Sequence, residues 1–108
     1  MFRLTRRVES LLPAEVHERL KKGEILLVDV REPGEFAMGH VAGSINAPLS
    51  RFDATALPTD AGAIVLCCAV GRRSAAAAEG CRKAGVEIAG HMEGGLTEWT
   101  RTGLPLTI

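Results

Sequence analysis

Residues 63–84 read AIVLCCAVGRRSAAAAEGCRKA, and this stretch decides the fold. Its first five residues are all apolar, as is typical of a strand that is buried on both faces of a parallel sheet. Residues 73–84 are rich in alanine and predict a helix, which Gly85 ends. A buried strand that leads through a short turn into a helix is a building unit of α/β proteins.

The same alternation continues on both sides of this stretch. We predict further strands at residues 25–28, 44–46 and 86–89, and further helices at residues 13–22, 35–38 and 96–102. Ser50 and Asp53 stand at capping-box spacing and predict a short helix that Pro58 closes. We therefore expect one α/β domain over residues 1–108, with a central, mainly parallel sheet flanked by helices.

The composition argues against several classes of function. The chain has 13 basic and 13 acidic residues, and a nucleic-acid-binding protein usually has a basic excess. Its longest apolar stretch, residues 61–70, is about half of the ~20 residues that a membrane-spanning helix needs. Neither the first residues nor the three cysteines suggest a secretory signal or a disulfide framework. We expect a cytoplasmic protein with no nucleic-acid or membrane partner.

Cys68 lies where the predicted strand passes into the predicted helix, and residues 69–74, AVGRRS, follow it. A helix N terminus leaves backbone N–H groups without helical partners, and its dipole and the two arginines add positive charge. A cysteine at this point loses its proton more easily, because its thiolate is stabilised. We predict Cys68 as a reactive thiolate and interpret Cys67 and Cys81 as small core residues.

Four motifs, in the same order, resemble those of the rhodanese-homology family and together cover nearly the whole chain. They are LVDVREP at residues 27–33 with Glu35-Phe36, GHVAGSIN at residues 39–46, the loop Cys68-x-x-Gly71-x-Arg73-Ser74, and Glu93-Gly94-Gly95 with Trp99. The resemblance implies the family's three-layer sandwich and a sulfurtransferase activity.

The resemblance also implies a mechanism that runs through a persulfide on Cys68. The thiolate would attack the outer sulfur of thiosulfate or of a persulfide donor, and the sulfur would pass to cyanide or to a thiol of a protein or small molecule. The implied substrate-binding residues form the adjacent loop: Ala69, Val70, Gly71, Arg72 and Arg73. No metal or organic cofactor is implied. Many members have charged or polar residues in place of Ala69 and Val70, which leaves the preference for thiosulfate open.

Two alternatives remain open from the sequence. Cys67, Arg73 and Ser74 have the C-x5-R-S spacing of cysteine-dependent phosphatases and arsenate reductases, in which the arginine grips an oxyanion. Leu66 stands where phosphatases usually have histidine, which weighs against this assignment. The other alternative is a non-catalytic binding module with the rhodanese fold, and the intact cysteine loop weighs against it.

Three further polar residues lie near the predicted site. Asp29 and Arg31 lie at the end of another buried strand, beside the predicted site, where they could orient the loop in a supporting role or pair with each other. We expect the pairing, because buried polar groups normally find partners. His91 comes after the predicted strand at residues 86–89. We do not predict it to be a catalytic base, because the sequence does not give its reach to Cys68.

Overall fold

A computed structural model describes residues 8–108. Five parallel strands form one sheet in the order β1-β5-β4-β2-β3. The strands are β1 Ser10–Leu11, β2 Ile25–Asp29, β3 Ile45–Asn46, β4 Ala63–Cys67 and β5 Gly90–Met92. The helices are α1 Pro13–Lys21, α2 Pro33–Ala37, α3 Arg72–Lys83 and α4 Gly95–Arg101. No helix within residues 8–108 combines the length and the apolar character that crossing a membrane requires.

Two apolar clusters lie on opposite faces of the sheet. On one face, α1 and α4 pack on the sheet through Val16 and Trp99. On the other face, α3 packs on it through Ala77 and Cys81. The predicted three-layer α/β sandwich is therefore confirmed. Because side chains alternate along an extended chain, the neighbouring residues Cys67 and Cys68 join different clusters.

The prediction of the last strand was wrong. Residues 86–89 contain alternating apolar side chains, but β5 is Gly90–Met92. Glycine inside a strand often marks a close approach of another backbone. The φ of Gly90 is 151°, and a Cβ on it would lie 2.5 Å from the carbonyl oxygen of Glu9. Glycine is therefore required where β5 passes close to the chain that leads into β1.

The predicted short helix after Ser50 was also wrong. Two 3₁₀ turns, Leu49–Arg51 and Ala54–Ala56, stand in its place. The Asp53 carboxylate accepts a hydrogen bond from the amide of Thr55 at 3.0 Å and so caps the second turn. The Ser50 hydroxyl donates to the carboxylate of Glu32 at 2.6 Å, so it does not cap a helix.

Strands β2 and β4 bring the two predicted polar segments together. They are neighbours in the sheet and pair in parallel, with Asp29 beside Cys67. Their carboxyl ends therefore meet at the same edge, where sites form in parallel α/β sheets. This edge carries Asp29 and Arg31 on one connection and the Cys68 loop on the next.

Candidate active site

The loop between β4 and α3 surrounds the sulfur of Cys68 with hydrogen-bond donors. The backbone amides of Gly71 and Ser74 donate to Sγ at 3.1 Å and 3.3 Å. The hydroxyl oxygen of Ser74 lies 3.6 Å from the same sulfur. Gly71 precedes the first residue of α3 with a φ of 101°, a conformation that favours glycine. This turn directs the free amides at the start of α3 towards the sulfur.

The other side of the loop is held by the start of α4. The carbonyl oxygens of Cys68 and Ala69 accept hydrogen bonds from the amides of Leu96 and Thr97, both at 2.9 Å. Gly95 allows this approach, since a Cβ on it would lie 2.4 Å from the Cys68 carbonyl oxygen. The loop carbonyls thus point to α4 while loop amides point to the sulfur. The glycine pair that resembled a family motif therefore supports the cysteine loop directly.

These contacts change the acidity of Cys68. Burial raises the pKa of its thiol, but hydrogen bonds from the Ser74 hydroxyl and from the amides of Ser74, Gly71 and Val70 lower it more, so that the pKa lies below its usual value. Burial raises the pKa of the other two thiols, Cys67 and Cys81. All three cysteines are buried and free. Of the three, Cys68 is the one whose surroundings favour the thiolate.

Cys67 lies outside this ring of donors. Its side chain is buried in the cluster with α1 and α4, on the face of the sheet opposite to Cys68. After burial, the nearby carboxylate of Asp29 is the next cause that raises the pKa of Cys67. Within residues 8–108, the loop amides of Gly71 and Ser74 donate their hydrogen bonds to the sulfur of Cys68. This geometry supports the interpretation of Cys67 as a core residue.

The two loop arginines occupy different environments. The guanidinium of Arg73 donates to both carboxylate oxygens of Glu35, at 2.7 Å and 3.0 Å. Hydrogen bonding to Arg73 is the main reason that the pKa of Glu35 falls to about 2. Arg72 is the first residue of α3 and is exposed. Arg73 is therefore held by α2, whereas the charge of Arg72 faces solvent beside the loop.

Asp29 and Arg31 form the predicted pair, which is confirmed. The guanidinium of Arg31 donates to both carboxylate oxygens of Asp29, with the shortest contact at 2.8 Å, and both residues are buried. Arg31 also donates to the carbonyl oxygen of Gly39 at 2.7 Å. The pair thus fixes both ends of the segment that contains α2 and Glu35.

No site role was predicted for Glu35, and His91 was not predicted to act as a catalytic base. The Nδ1 atom of His91 lies 2.9 Å from the hydroxyl oxygen of Ser74. The signal for Glu35 was its place in the motif at residues 27–36, and the signal for His91 was its place just before the glycine motif. Neither position reveals a contact, because the partners, Arg73 for Glu35 and Ser74 for His91, are distant in sequence.

Comparison with known proteins assigns the fold and this loop to a family. A family model described as a rhodanese-like domain matches residues 12–102, most of the chain. This chain therefore belongs to the rhodanese-like family.

Two curated relatives match part of their own length. An uncharacterized protein of Synechocystis is 39% identical over 97 residues, which are 89% of this chain and 54% of that protein. A probable adenylyltransferase/sulfurtransferase MoeZ of Mycobacterium tuberculosis is 35% identical over 101 residues, which are 89% of this chain and 26% of that protein. The chain thus spans about half, or about a quarter, of these relatives.

Two solved structures share the fold over most of the chain. A rhodanese-related protein of Thermoplasma volcanium has a TM-score of 0.80 and 37% identity, with 91% of this chain and 96% of that chain covered. A protein of Rhodopseudomonas palustris described as a possible tyrosine phosphatase has a TM-score of 0.82 and 28% identity, with 93% and 85% covered. The names of these similar proteins thus include a probable sulfurtransferase and a possible phosphatase.

Proposed function

We propose that this chain is a sulfurtransferase that carries a sulfane sulfur as a persulfide on Cys68. The observation that carries the proposal is the convergence of the Gly71 and Ser74 amides and the Ser74 hydroxyl on one sulfur. These groups favour the thiolate, which is the nucleophile. They are also fixed before the reaction begins, so they can stabilise an anionic sulfur without reorganising.

Two displacements complete the cycle. In the first, the Cys68 thiolate attacks the outer sulfur of thiosulfate or of a persulfide. The new S–S bond forms as the donor's own bond to that sulfur breaks, and sulfite or the donor thiolate leaves with the electron pair. In the second, cyanide or an acceptor thiolate attacks the outer sulfur of Cys68, and the Cys68 thiolate leaves. No net oxidant or reductant is needed.

The charge of the donor is recognised at the outer side of the loop. Ala69 and Val70 supply no side-chain charge, and Arg73 is paired with Glu35. Among residues 8–108, no ion pair engages Arg72, which is exposed at the start of α3. We therefore assign the first contact with an anionic donor, thiosulfate or a persulfide, to Arg72.

The burial of Cys68 limits how a donor reaches it. Its side chain has 0% exposure, whereas the side chain of Val70, two residues away, is 56% exposed. A donor sulfur can therefore meet Sγ only when the atoms that cover it move aside. We propose that this movement, and a thiol acceptor on a protein or small molecule, belong to the cycle. A reducing compartment such as the cytoplasm fits three free cysteines.

Intact-mass measurement after incubation with thiosulfate or glutathione persulfide tests the proposal. The wild-type protein should gain about 32 Da, one sulfur atom, and lose it when cyanide is added. Cys68→Ser should gain nothing, whereas Cys67→Ser, the matched variant at the adjacent position, should gain the same mass. Absence of the gain in wild type with both donors contradicts the proposal.

The phosphatase alternative uses the same loop with Cys67 and Arg73. It is favoured by the C-x5-R-S spacing and by the description of the Rhodopseudomonas palustris protein. The raised pKa of Cys67, caused first by burial, and the pairing of Arg73 with Glu35 weigh against it. Hydrolysis of an aryl phosphate that disappears in Cys67→Ser would support this alternative. A protein inactive in both assays would instead be a non-catalytic binding module.

A further inference from the structure

We propose that His91 is a positioning residue that directs the hydroxyl proton of Ser74 towards the sulfur of Cys68. The inference rests on the proposed function, because it concerns how the reactive thiolate is stabilised. It adds a residue from β5 to a site otherwise built from the loop and the start of α3. His91 acts through Ser74 and does not touch the reacting sulfur.

The Ser74 hydroxyl has one proton to donate but three polar neighbours. It is buried, and its oxygen lies 2.9 Å from Nδ1 of His91, 3.3 Å from the carbonyl oxygen of Gly71 and 3.6 Å from Sγ of Cys68. A hydroxyl donates one proton and accepts through its lone pairs. Its contribution to the thiolate therefore depends on where that single proton points.

The tautomer of His91 decides this direction. If Nδ1 has no proton, it accepts the Ser74 hydroxyl proton, and the sulfur loses a donor. If Nδ1 carries a proton, it donates to the Ser74 oxygen, and the hydroxyl proton is free to point at Sγ. A hydrogen bond to an anion is roughly twice as strong as one between neutral groups, so a thiolate draws the proton more strongly than the Gly71 carbonyl does. The thiolate and the Nδ1–H form of His91 therefore stabilise each other.

The surroundings of His91 allow this form without a positive charge on the ring. Its other nitrogen, Nε2, lies 3.5 Å from the hydroxyl oxygen of Ser10 in β1, and a serine can donate as well as accept. Burial lowers the pKa of His91, and the carboxylate of Glu93 only partly opposes this. Leu66 of β4 lies beside His91 in the sheet and carries no charge. Burial therefore favours the neutral ring, and the tautomer of that ring decides which way the Ser74 proton points.

The pH dependence of Cys68 alkylation by iodoacetamide, followed by peptide mass spectrometry, tests this inference. His91→Phe keeps a ring but removes Nδ1, so the Ser74 hydroxyl no longer accepts a hydrogen bond and becomes a weaker donor to the thiolate. The pKa of Cys68 should rise, and its thiolate fraction near pH 7 should fall by about twofold. His91→Asn places an amide N–H close to the position of Nδ1 and should restore most of this loss. An unchanged pKa of Cys68 in His91→Phe would overturn the inference.

A double-mutant cycle separates the positioning role from a merely structural one. In the Ser74→Ala background the hydroxyl is gone, so adding His91→Phe should not change the pKa of Cys68 further. An equal shift in both backgrounds contradicts the inference. Thermal unfolding of each variant checks that it folds.

A measurement on the unmutated protein does not depend on the folding of variants. The ¹⁵N shifts of His91 should report Nδ1–H while Cys68 is a thiolate, and a smaller share of that tautomer once Cys68 is alkylated. An Nε2–H tautomer beside the thiolate overturns the inference. Neither readout uses sulfur transfer, so a wild type that gains no sulfur defeats the proposed function and leaves this test intact.

Discussion

The carboxylate of Glu35 binds the guanidinium of Arg73 through two hydrogen bonds, at 2.7 Å and 3.0 Å, across 38 positions of sequence. The contact joins α2, next to β2, to the first turn of α3, next to β4. One end of the cysteine loop is therefore fixed by a residue from the neighbouring connection. We predict from this contact that Arg73 positions the cysteine loop.

Replacing Glu35 by glutamine should lower sulfur transfer more than stability. The glutamine side chain keeps an oxygen that can accept from the Glu32 amide, as Glu35 does at 2.9 Å, but it loses the paired charge on Arg73. We expect a loss of about tenfold in thiocyanate formation, because small displacements of reacting groups slow catalysis. The midpoint of thermal unfolding should fall little, since partly exposed ion pairs contribute at most about 1 kcal/mol.

Glu79→Gln is the matched control for this comparison. It breaks the ion pair between Glu79 and Arg82, which lies further along the same helix and away from the cysteine loop. The control should leave thiocyanate formation unchanged. Equal activity losses in the two variants would show that the Glu35–Arg73 contact has no special effect on the loop.

The stabilising effect of Glu35 should disappear in acid. Mainly because of its hydrogen bond to Arg73, the folded protein holds the pKa of Glu35 at about 2, below the usual 4.5. Between these values the unfolded chain binds the proton more readily, so the free energy of unfolding falls as the pH falls. Urea unfolding at several pH values should show the largest difference between wild type and Glu35→Gln above pH 4.5. That difference should vanish towards pH 2, and a constant difference over this range would contradict the assignment.

Gly95→Ala should disrupt both the fold and the cysteine loop. Its Cβ would lie 2.4 Å from the Cys68 carbonyl oxygen and 2.6 Å from Ala69, and its φ is +61°. Gly103→Ala is the control, because Gly103 also has a positive φ, +86°, but open space around it. The control should cost about 1 kcal/mol from backbone strain alone, and Gly95→Ala should cost clearly more and lower transfer activity. Urea unfolding of the two variants measures the difference, and similar losses would argue against the contact.

The buried pair of Asp29 and Arg31 should contribute strongly to stability. Asp29→Asn leaves the Arg31 guanidinium buried without its counter-ion, which typically costs about 3–5 kcal/mol. The exposed pair of Glu15 and Arg19 in α1 provides the comparison, and Glu15→Gln should cost at most about 0.5 kcal/mol. Chemical unfolding measures both. A cost below about 1 kcal/mol for Asp29→Asn would contradict the predicted role of the pair.

The three cysteines should differ in their reaction with iodoacetamide. In the folded protein, Cys68 should be alkylated first, because its pKa is lowered by its hydrogen bonds against the opposing effect of burial. Burial raises the pKa of Cys67 and Cys81, so these should react only after denaturation. Because Cys68 has no exposed surface, its alkylation should also be slower than that of a small thiol of the same pKa. Peptide mass spectrometry identifies the labelled residue, and early labelling of Cys67 would contradict this assignment.

Local patterns were enough to predict much of the fold. The apolar run of β4, the alanine-rich α3 and the glycine between them are features of neighbouring residues, and their boundaries were predicted to within about one residue. The last strand was missed because the approach of Gly90 to Glu9 depends on a segment from the other end of the chain. A pattern of apolar residues cannot report such a contact.

By itself, the sequence determined the α/β architecture, the place of Cys68 between a strand and a helix and the pairing of Asp29 with Arg31. Each of these follows from residues that are close together in the chain or from the alternation of its elements. Only the tertiary structure decided that α2 holds Arg73, that α4 holds the loop carbonyls and that His91 reaches Ser74. The physical reason is that hydrogen bonds act over about 3 Å, and only packing in the sheet brings these distant segments within that range.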